Sequence, residues 1–185
     1  GNSHDIKGAK EKKKLFDILV KGKDMLKSPK EMKAQREAPE KSENLRILLV
    51  VYDNSSYMTW FPQGLGYVAA VLQQDGHDIE LYNQDIHHYP DSHLTYFLDS
   101  REPYDAVCIS VIGGYWQFKR LVGLSDAIEN AKNRPKLYCI GGYGPTPEPE
   151  YFLQKTRADV CVMGEGEDTT RELFAALANN ENYKD

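Results

Sequence analysis

From Leu45 onward the chain alternates short apolar runs with helix-period segments and keeps to that alternation to its last helix. Leu45–Tyr52 is a nearly unbroken aliphatic run, and Tyr104–Val111 and Leu137–Ile140 are of the same kind. A strand with one wet face alternates apolar and polar residues, so runs this continuous belong to strands covered on both faces by helices. Shorter strands are expected at Ile79–Asn83 and Val160–Met163. Helical spacing marks Gln63–Gln74, ended by Asp75-Gly76, then Pro90–Leu98, Trp116–Lys132, Pro149–Lys155 and Asp168–Asn179. The reading is an α/β fold: a flavodoxin-like, Rossmann-like doubly wound sheet of five parallel strands in the order 2-1-3-4-5, with right-handed crossovers.

Open parallel sheets take ligands outside the carboxyl ends of their strands. The informative residues are therefore those just after Tyr52, Ser110, Ile140 and Met163. Two of these ends carry glycine pairs, Gly113-Gly114 and Gly141-Gly142, and the second runs into Tyr143-Gly144-Pro145-Thr146-Pro147-Glu148. Paired glycines remove both Cβ atoms where a ligand or another backbone must come close. A phosphate-receiver domain needs an aspartate after the third strand and a lysine after the fifth; Ser110-Val111 and Gly164-Glu165 stand there instead. A dinucleotide site has a hook in Gly64-Leu65-Gly66-Tyr67-Val68-Ala69, with Asp85 as its ribose acid. Its glycines should follow the first strand directly, yet residues 53–63 intervene.

Charge divides the chain unevenly. Residues 1–44 hold 12 Lys/Arg against 8 Asp/Glu, and residues 45–185 hold 11 against 20. The acidic balance speaks against nucleic-acid binding, and no apolar run approaches the roughly 20 residues of a membrane span, so a cytoplasmic protein is expected. Gly1–His4 read as a tag remnant. Lys14-Leu15-Phe16-Asp17-Ile18-Leu19-Val20 has the spacing of a short docking helix, stopped at Ser28-Pro29. The expected organisation is a basic leader or linker over 1–44 and a binding domain over 45–185. Cys108, Cys139 and Cys161 each lie inside an apolar strand, without the spacing of a zinc or iron–sulfur site, so no metal ligands are assigned.

Several segments carry a resemblance together. Pro62–His77, Asp105–Ser110, Gly141-Gly142 with Pro145-Thr146-Pro147-Glu148, and Val162-Met163-Gly164-Glu165-Gly166-Glu167-Asp168-Thr169 closely resemble the cobalamin-binding domain of B12-dependent radical S-adenosylmethionine enzymes, over roughly residues 45–180. Ser110-Val111-Ile112 stands for the S-x-L of such domains, and 28 residues (113–140) separate it from Gly141, a spacing that fits. The stretch Asp53-Asn54-Ser55-Ser56-Tyr57-Met58 departs from D-x-H-x-x-G, with Ser for the histidine and Met for the glycine.

The resemblance implies cobalamin bound base-off, with no histidine ligand and no catalytic residue in this chain. Its nucleotide tail would thread between sheet and helix, with Gly141 and Gly142 leaving room and Ser110 bonding an imidazole-type nitrogen. Implied cofactor contacts are Asp53, Asn54, Tyr57, Met58, Gln63 and Gly64 after the first strand, and Ser110, Val111, Ile112, Gly113 and Tyr115 after the third. Gly141, Gly142, Tyr143, Pro145, Thr146, Gly164 and Glu165 complete the set. Tyr57, Met58, Trp60 and Phe61 would form the face beneath cobalt, and Tyr115-Trp116 a contact at its edge. His87-His88 are expected on a solvated loop. S-adenosylmethionine and a 4Fe-4S cluster would belong to a radical module following residue 185, which would be the domain's partner in methyl transfer. A stand-alone cobalamin sensor or carrier is the alternative.

Overall fold

The structure, a computed structural model, describes residues 43–59 and 61–181. The docking helix expected near Lys14–Val20, and Trp60, lie outside the described residues. The strands are β1 (Arg46–Val51), β2 (Asp78–Asn83), β3 (Ala106–Ser110), β4 (Leu137–Gly141) and β5 (Val160–Val162). They form one sheet in the order β2-β1-β3-β4-β5, with every pairing parallel. The helices among the described residues are α1 (Gln63–Gln74), α2 (Gln84–His87), α3 (His93–Asp99), α4 (Tyr115–Glu129), α5 (Pro149–Thr156) and α6 (Gly166–Ala178).

The continuous aliphatic runs work as expected because each strand feeds two cores at once. Ile47, Leu49 and Val51 of β1 pack with Ala106, Cys108, Leu137 and Cys139 beneath Leu65 and Leu72 of α1 and Leu173 and Phe174 of α6. Leu48 and Val50 pack on the opposite side with Val107, Ile109, Tyr138 and Ile140, beneath Leu94 and Leu98 of α3 and Leu121, Leu124 and Ile128 of α4. Each of these large aliphatic side chains contributes about 1.5–3 kcal/mol on burial. An ion pair between Asp75, just past α1, and Arg171 of α6 ties the two helices of the first face together.

Local chemistry decides the boundaries. The segment expected as a single helix over Pro90–Leu98 is preceded by a separate short turn, α2, which periodicity does not announce. Asn83 starts it by accepting the Ile86 N–H, and His88, in the left-handed region at φ 51°, ends it by donating its N–H to the Gln84 carbonyl. α4 stops at Glu129 rather than Lys132, with Asn130 as its cap. Strands in register place Ser110 beside Gly141 and Gly141 beside Val162 at the carboxyl edge. That edge gathers the loops after Val51, Ser110, Gly141 and Val162.

Candidate functional site

Ser110 and Gly141 are adjacent in register and share a face with Cys108 and Cys139, the face covered by α1 and α6. A carboxyl-edge row between Val51 and Val162 thus carries only a hydroxymethyl group and a glycine. The Ser110 side chain is half-buried, and its hydroxyl makes none of the hydrogen bonds found among the described residues. At the start of α1, the Cβ position of Gly64 has nothing within 4 Å. Gln63 beside it is exposed.

Gly142 answers a different demand. Its φ is +101°, and a Cβ there would lie 2.5 Å from the Val111 carbonyl oxygen. The Val111 N–H donates to the Gly141 carbonyl at 2.8 Å, and the Gly144 N–H donates to the Val111 carbonyl at 3.0 Å. The loops after β3 and β4 are therefore in main-chain contact at Gly142, and its missing side chain is filled by Val111 rather than left as room for a tail. Thr146 clasps the neighbouring loops: its hydroxyl donates to the Gly142 carbonyl at 2.8 Å and accepts the Gly164 N–H at 3.4 Å. The Val111 side chain is buried in the α3/α4/α5 core. Pro145 is buried, while Gly164 and Glu165 lie exposed before α6.

The loop after β1 is held by a polar network that sequence patterns do not announce. Asp53 is only 8% exposed. Its carboxylate accepts the Ser55 N–H at 2.7 Å and lies 3.1 Å from His88 Nδ1 and 3.7 Å from Arg120. Asp85, 1% exposed, accepts the Asn54 backbone N–H at 2.8 Å and its side-chain N–H at 3.1 Å. Asp85 thus serves this loop and presents no carboxylate to a ribose, which together with the late start of α1 removes the dinucleotide reading. His88 is exposed just past α2, in keeping with the expected solvated loop, and its ring also lies against the Asp53 carboxylate. His87 is exposed and stacks on Tyr89 with ring centroids 5.0 Å apart.

Around these loops lies an exposed apolar surface: Tyr57, Met58, Phe61, Ile112, Tyr115, Trp116, Tyr143 and Met163. Large apolar side chains exposed together on the loops of one sheet edge mark a ligand or partner surface. Tyr115 and Trp116 meet edge to face at 5.7 Å, and the Lys119 ammonium lies 4.8 Å from the Tyr115 ring. Between α4 and the β1 loop is a cleft of about 220 Å³ bounded by Asp53, Asn54, Ser55, Asp91, Trp116, Gln117, Lys119 and Arg120. Gly113 is half-buried in the turn into α4.

The thiols sit in the sheet. Cys108 and Cys139 are in register on the α1/α6 face, while Cys161 packs against the opposite core. The Cys139 hydrogen bond and burial push the Cys108 thiol well up, and burial raises Cys161 to about 11, so both are held protonated. No group of His, Cys, Asp and Glu among the described residues is arranged to hold a metal ion. No helix among them is long and apolar enough to cross a membrane.

Comparison with known proteins bears on the fold and the family. The fold matches TsrM, a radical S-adenosylmethionine methyltransferase from Kitasatospora setae, with TM-score 0.62 and 17% identity, covering 75% of this chain and 27% of that one. OxsB, a cobalamin-dependent S-adenosylmethionine radical enzyme solved with aqua-cobalamin and S-adenosylmethionine bound, matches with TM-score 0.59 and 20% identity over 76% of this chain and 19% of its own. A cobalamin-binding protein from Desulfitobacterium hafniense DCB-2 gives TM-score 0.55 and 15% identity over 73% and 60%. This chain spans about a quarter of the length of TsrM and a fifth of OxsB. No curated protein matches. The B12 binding domain family matches residues 49–174, well over half of the chain, and the chain belongs to that family.

Proposed function

We propose that this domain holds cobalamin base-off, with the nucleotide tail beneath the starts of α1 and α6, as the cofactor module of a B12-dependent radical S-adenosylmethionine enzyme. The observation that carries the reading is the row formed by Ser110 and Gly141 in register on the α1/α6 face. A flat benzimidazole needs a floor without side chains, which Gly141 supplies. It also needs a partner for its ring nitrogen, for which the Ser110 hydroxyl is uncommitted among the described residues. These residues fit the group.

When bound, cobalamin supplies a cobalt centre able to accept and pass on a methyl group. The chain's own part is positional. Tyr57 and Met58, exposed on the β1 loop, and Phe61 before α1 would lie beneath the corrin and hinder water from reaching cobalt from below. Ser55 stands where a ligating histidine would be, so the lower face offers no imidazole from that loop. Tyr115, Trp116 and Tyr143 would bound the ring, and Gly164 and Glu165 would adjoin the tail near the start of α6.

Methyl transfer itself is assigned to a radical module encoded beyond residue 185. Three thiols in three strands, with Cys161 on the opposite face from the other two, are not placed to ligate one iron–sulfur cluster. Residues 1–44 would serve as a linker. Titrating hydroxocobalamin into the purified chain tests the binding reading: a saturable change in its absorption spectrum supports it, and an unchanged spectrum refutes it. Reading the coding sequence after residue 185 tests the module: three cysteines at C-x-x-x-C-x-x-C spacing support it, and a stop codon contradicts it.

A further inference from the structure

The β1 loop is fixed from outside the proposed cofactor contacts. Arg120 of α4 lies 3.7 Å from Asp53 and donates to Asp91 at 2.8 Å. Gln84 completes the circuit: its side-chain oxygen accepts the Asp53 N–H at 3.0 Å, and its nitrogen donates to Asp91 and to the Tyr89 carbonyl, both at 2.8 Å. Gly123 of α4 leaves a notch in which the Asp91 carboxylate rests, since any Cβ there would overlap it. The same loop contains Ser55 at φ 60°, a left-handed conformation that a non-glycine residue keeps only when its surroundings impose it. The Asp53 bond to the Ser55 N–H imposes it.

A carboxylate as buried as Asp53 is costly to keep ionised unless cationic partners stay in place. We propose that His88 and Arg120 are positioning residues for bound cobalamin. Acting through Asp53, they hold Ser55 in its left-handed turn and so set where Tyr57 and Met58 present the face beneath cobalt. This rests on the reading of the β1 loop as that lower face. Neither side chain needs to touch the cofactor. With either removed, the Asp53 carboxylate turns toward water, Ser55 relaxes, and Tyr57 and Met58 leave their places.

The test uses the full chain with Arg120→Met, His88→Ala and Asp53→Asn, and Arg157→Met as a control that loses only an exposed pair with Asp126. Two readouts are taken on bound cob(II)alamin: affinity, and the electron paramagnetic resonance and absorption spectra that report cobalt coordination. The three network variants are expected to weaken binding roughly tenfold, Arg120→Met and His88→Ala by leaving a buried charge short of one partner and Asp53→Asn by removing the charge that both side chains face. They are also expected to shift the spectra toward water-ligated cobalt, with Arg120→Lys restoring part of both. A purely structural role would lower the melting temperature and leave the spectra alone, and spectra and affinities like those of Arg157→Met would overturn the proposal. If the unmodified chain binds no cobalamin, the functional reading fails. Positioning is then decided by amide hydrogen exchange at Asn54–Met58: faster exchange in Arg120→Met and His88→Ala supports it, and unchanged rates overturn it.

Discussion

Replacing Gly142 by alanine measures how tightly the loops after β3 and β4 are pressed together. The new Cβ would sit 2.5 Å from the Val111 carbonyl oxygen, 3.0 Å from its nitrogen and 3.1 Å from its carbonyl carbon, all backbone atoms with no rotamer to escape into. At φ +101° the substitution is also strained whatever the space, by about 1–3 kcal/mol. Relieving the overlap means drawing the end of β3 from β4, which stretches the Val111–Gly141 and Gly144–Val111 hydrogen bonds, each with a net value of about 1 kcal/mol. The expected loss is about 3–5 kcal/mol, a large part of the 5–15 typical of a domain. Gly164→Ala isolates the strain, since its φ is +71° and nothing lies within 4 Å of the Cβ position. It should lose about 1 kcal/mol. Gly64→Ala, in α1 with open space around its Cβ position, should be neutral or stabilising by up to about 1 kcal/mol. Urea unfolding followed by circular dichroism separates the three, with the Gly142→Ala midpoint falling by about 1.5–2.5 M at a slope near 2 kcal/mol/M. If Gly142→Ala loses no more than Gly164→Ala, the backbone contact with Val111 is not what requires glycine.

Ser110→Leu should abolish cobalamin binding while changing the melting temperature by only a few degrees, because the half-buried site opens toward the carboxyl edge; intact binding in this variant would refute the tail's placement. His77 gives a pH test. Burial lowers its pKa from the ordinary value of 6.5, against the opposing pull of Asp75 and then Asp105, and its Nδ1 accepts the Leu45 N–H at 3.3 Å. The folded chain therefore binds this proton less readily than the unfolded chain. The stability gained is fully present above pH 6.5 and is lost as pH falls below it through the folded pKa. His77→Asn, which keeps an acceptor near the Leu45 N–H, should flatten that part of the curve; an unchanged slope between pH 7 and 5 would place the titration elsewhere.

The sheet was legible because its signal is repeated. Three continuous apolar runs and two shorter ones, each separated by a helical segment, allow few arrangements, and Gln63–Gln74 with its Asp75-Gly76 stop lies in the structure where its spacing places it. The site was only half legible. Ser110 and Gly141 stand out because a hydroxymethyl group and a glycine end strands otherwise built of aliphatic residues, cysteine and one tyrosine. Gly142 stands out equally but answers to the Val111 backbone, and a Cβ at Gly141 would itself lie 3.2 Å from the Val162 carbonyl oxygen; sequence does not show which neighbour a glycine makes room for. Gln84, Asp91 and Arg120 gave no signal at all, and His88 stood out only as half of a histidine pair. Each is an ordinary polar residue, and only the placement of α2 and α4 against the β1 loop brings them to Asp53. Gly123, the notch that admits Asp91, was the one trace available.

The central claim is that the row of Ser110 and Gly141 receives the nucleotide tail of cobalamin. The most direct measurement is equilibrium binding of hydroxocobalamin beside that of cobinamide, which has the corrin ring without the benzimidazole tail. The account predicts saturable binding of hydroxocobalamin, at least roughly tenfold tighter than cobinamide, the difference expected from burying a flat aromatic group. It also predicts a bound cob(II)alamin resonance without nitrogen hyperfine splitting. Equal affinities, no saturable binding, or a nitrogen-split resonance would contradict it.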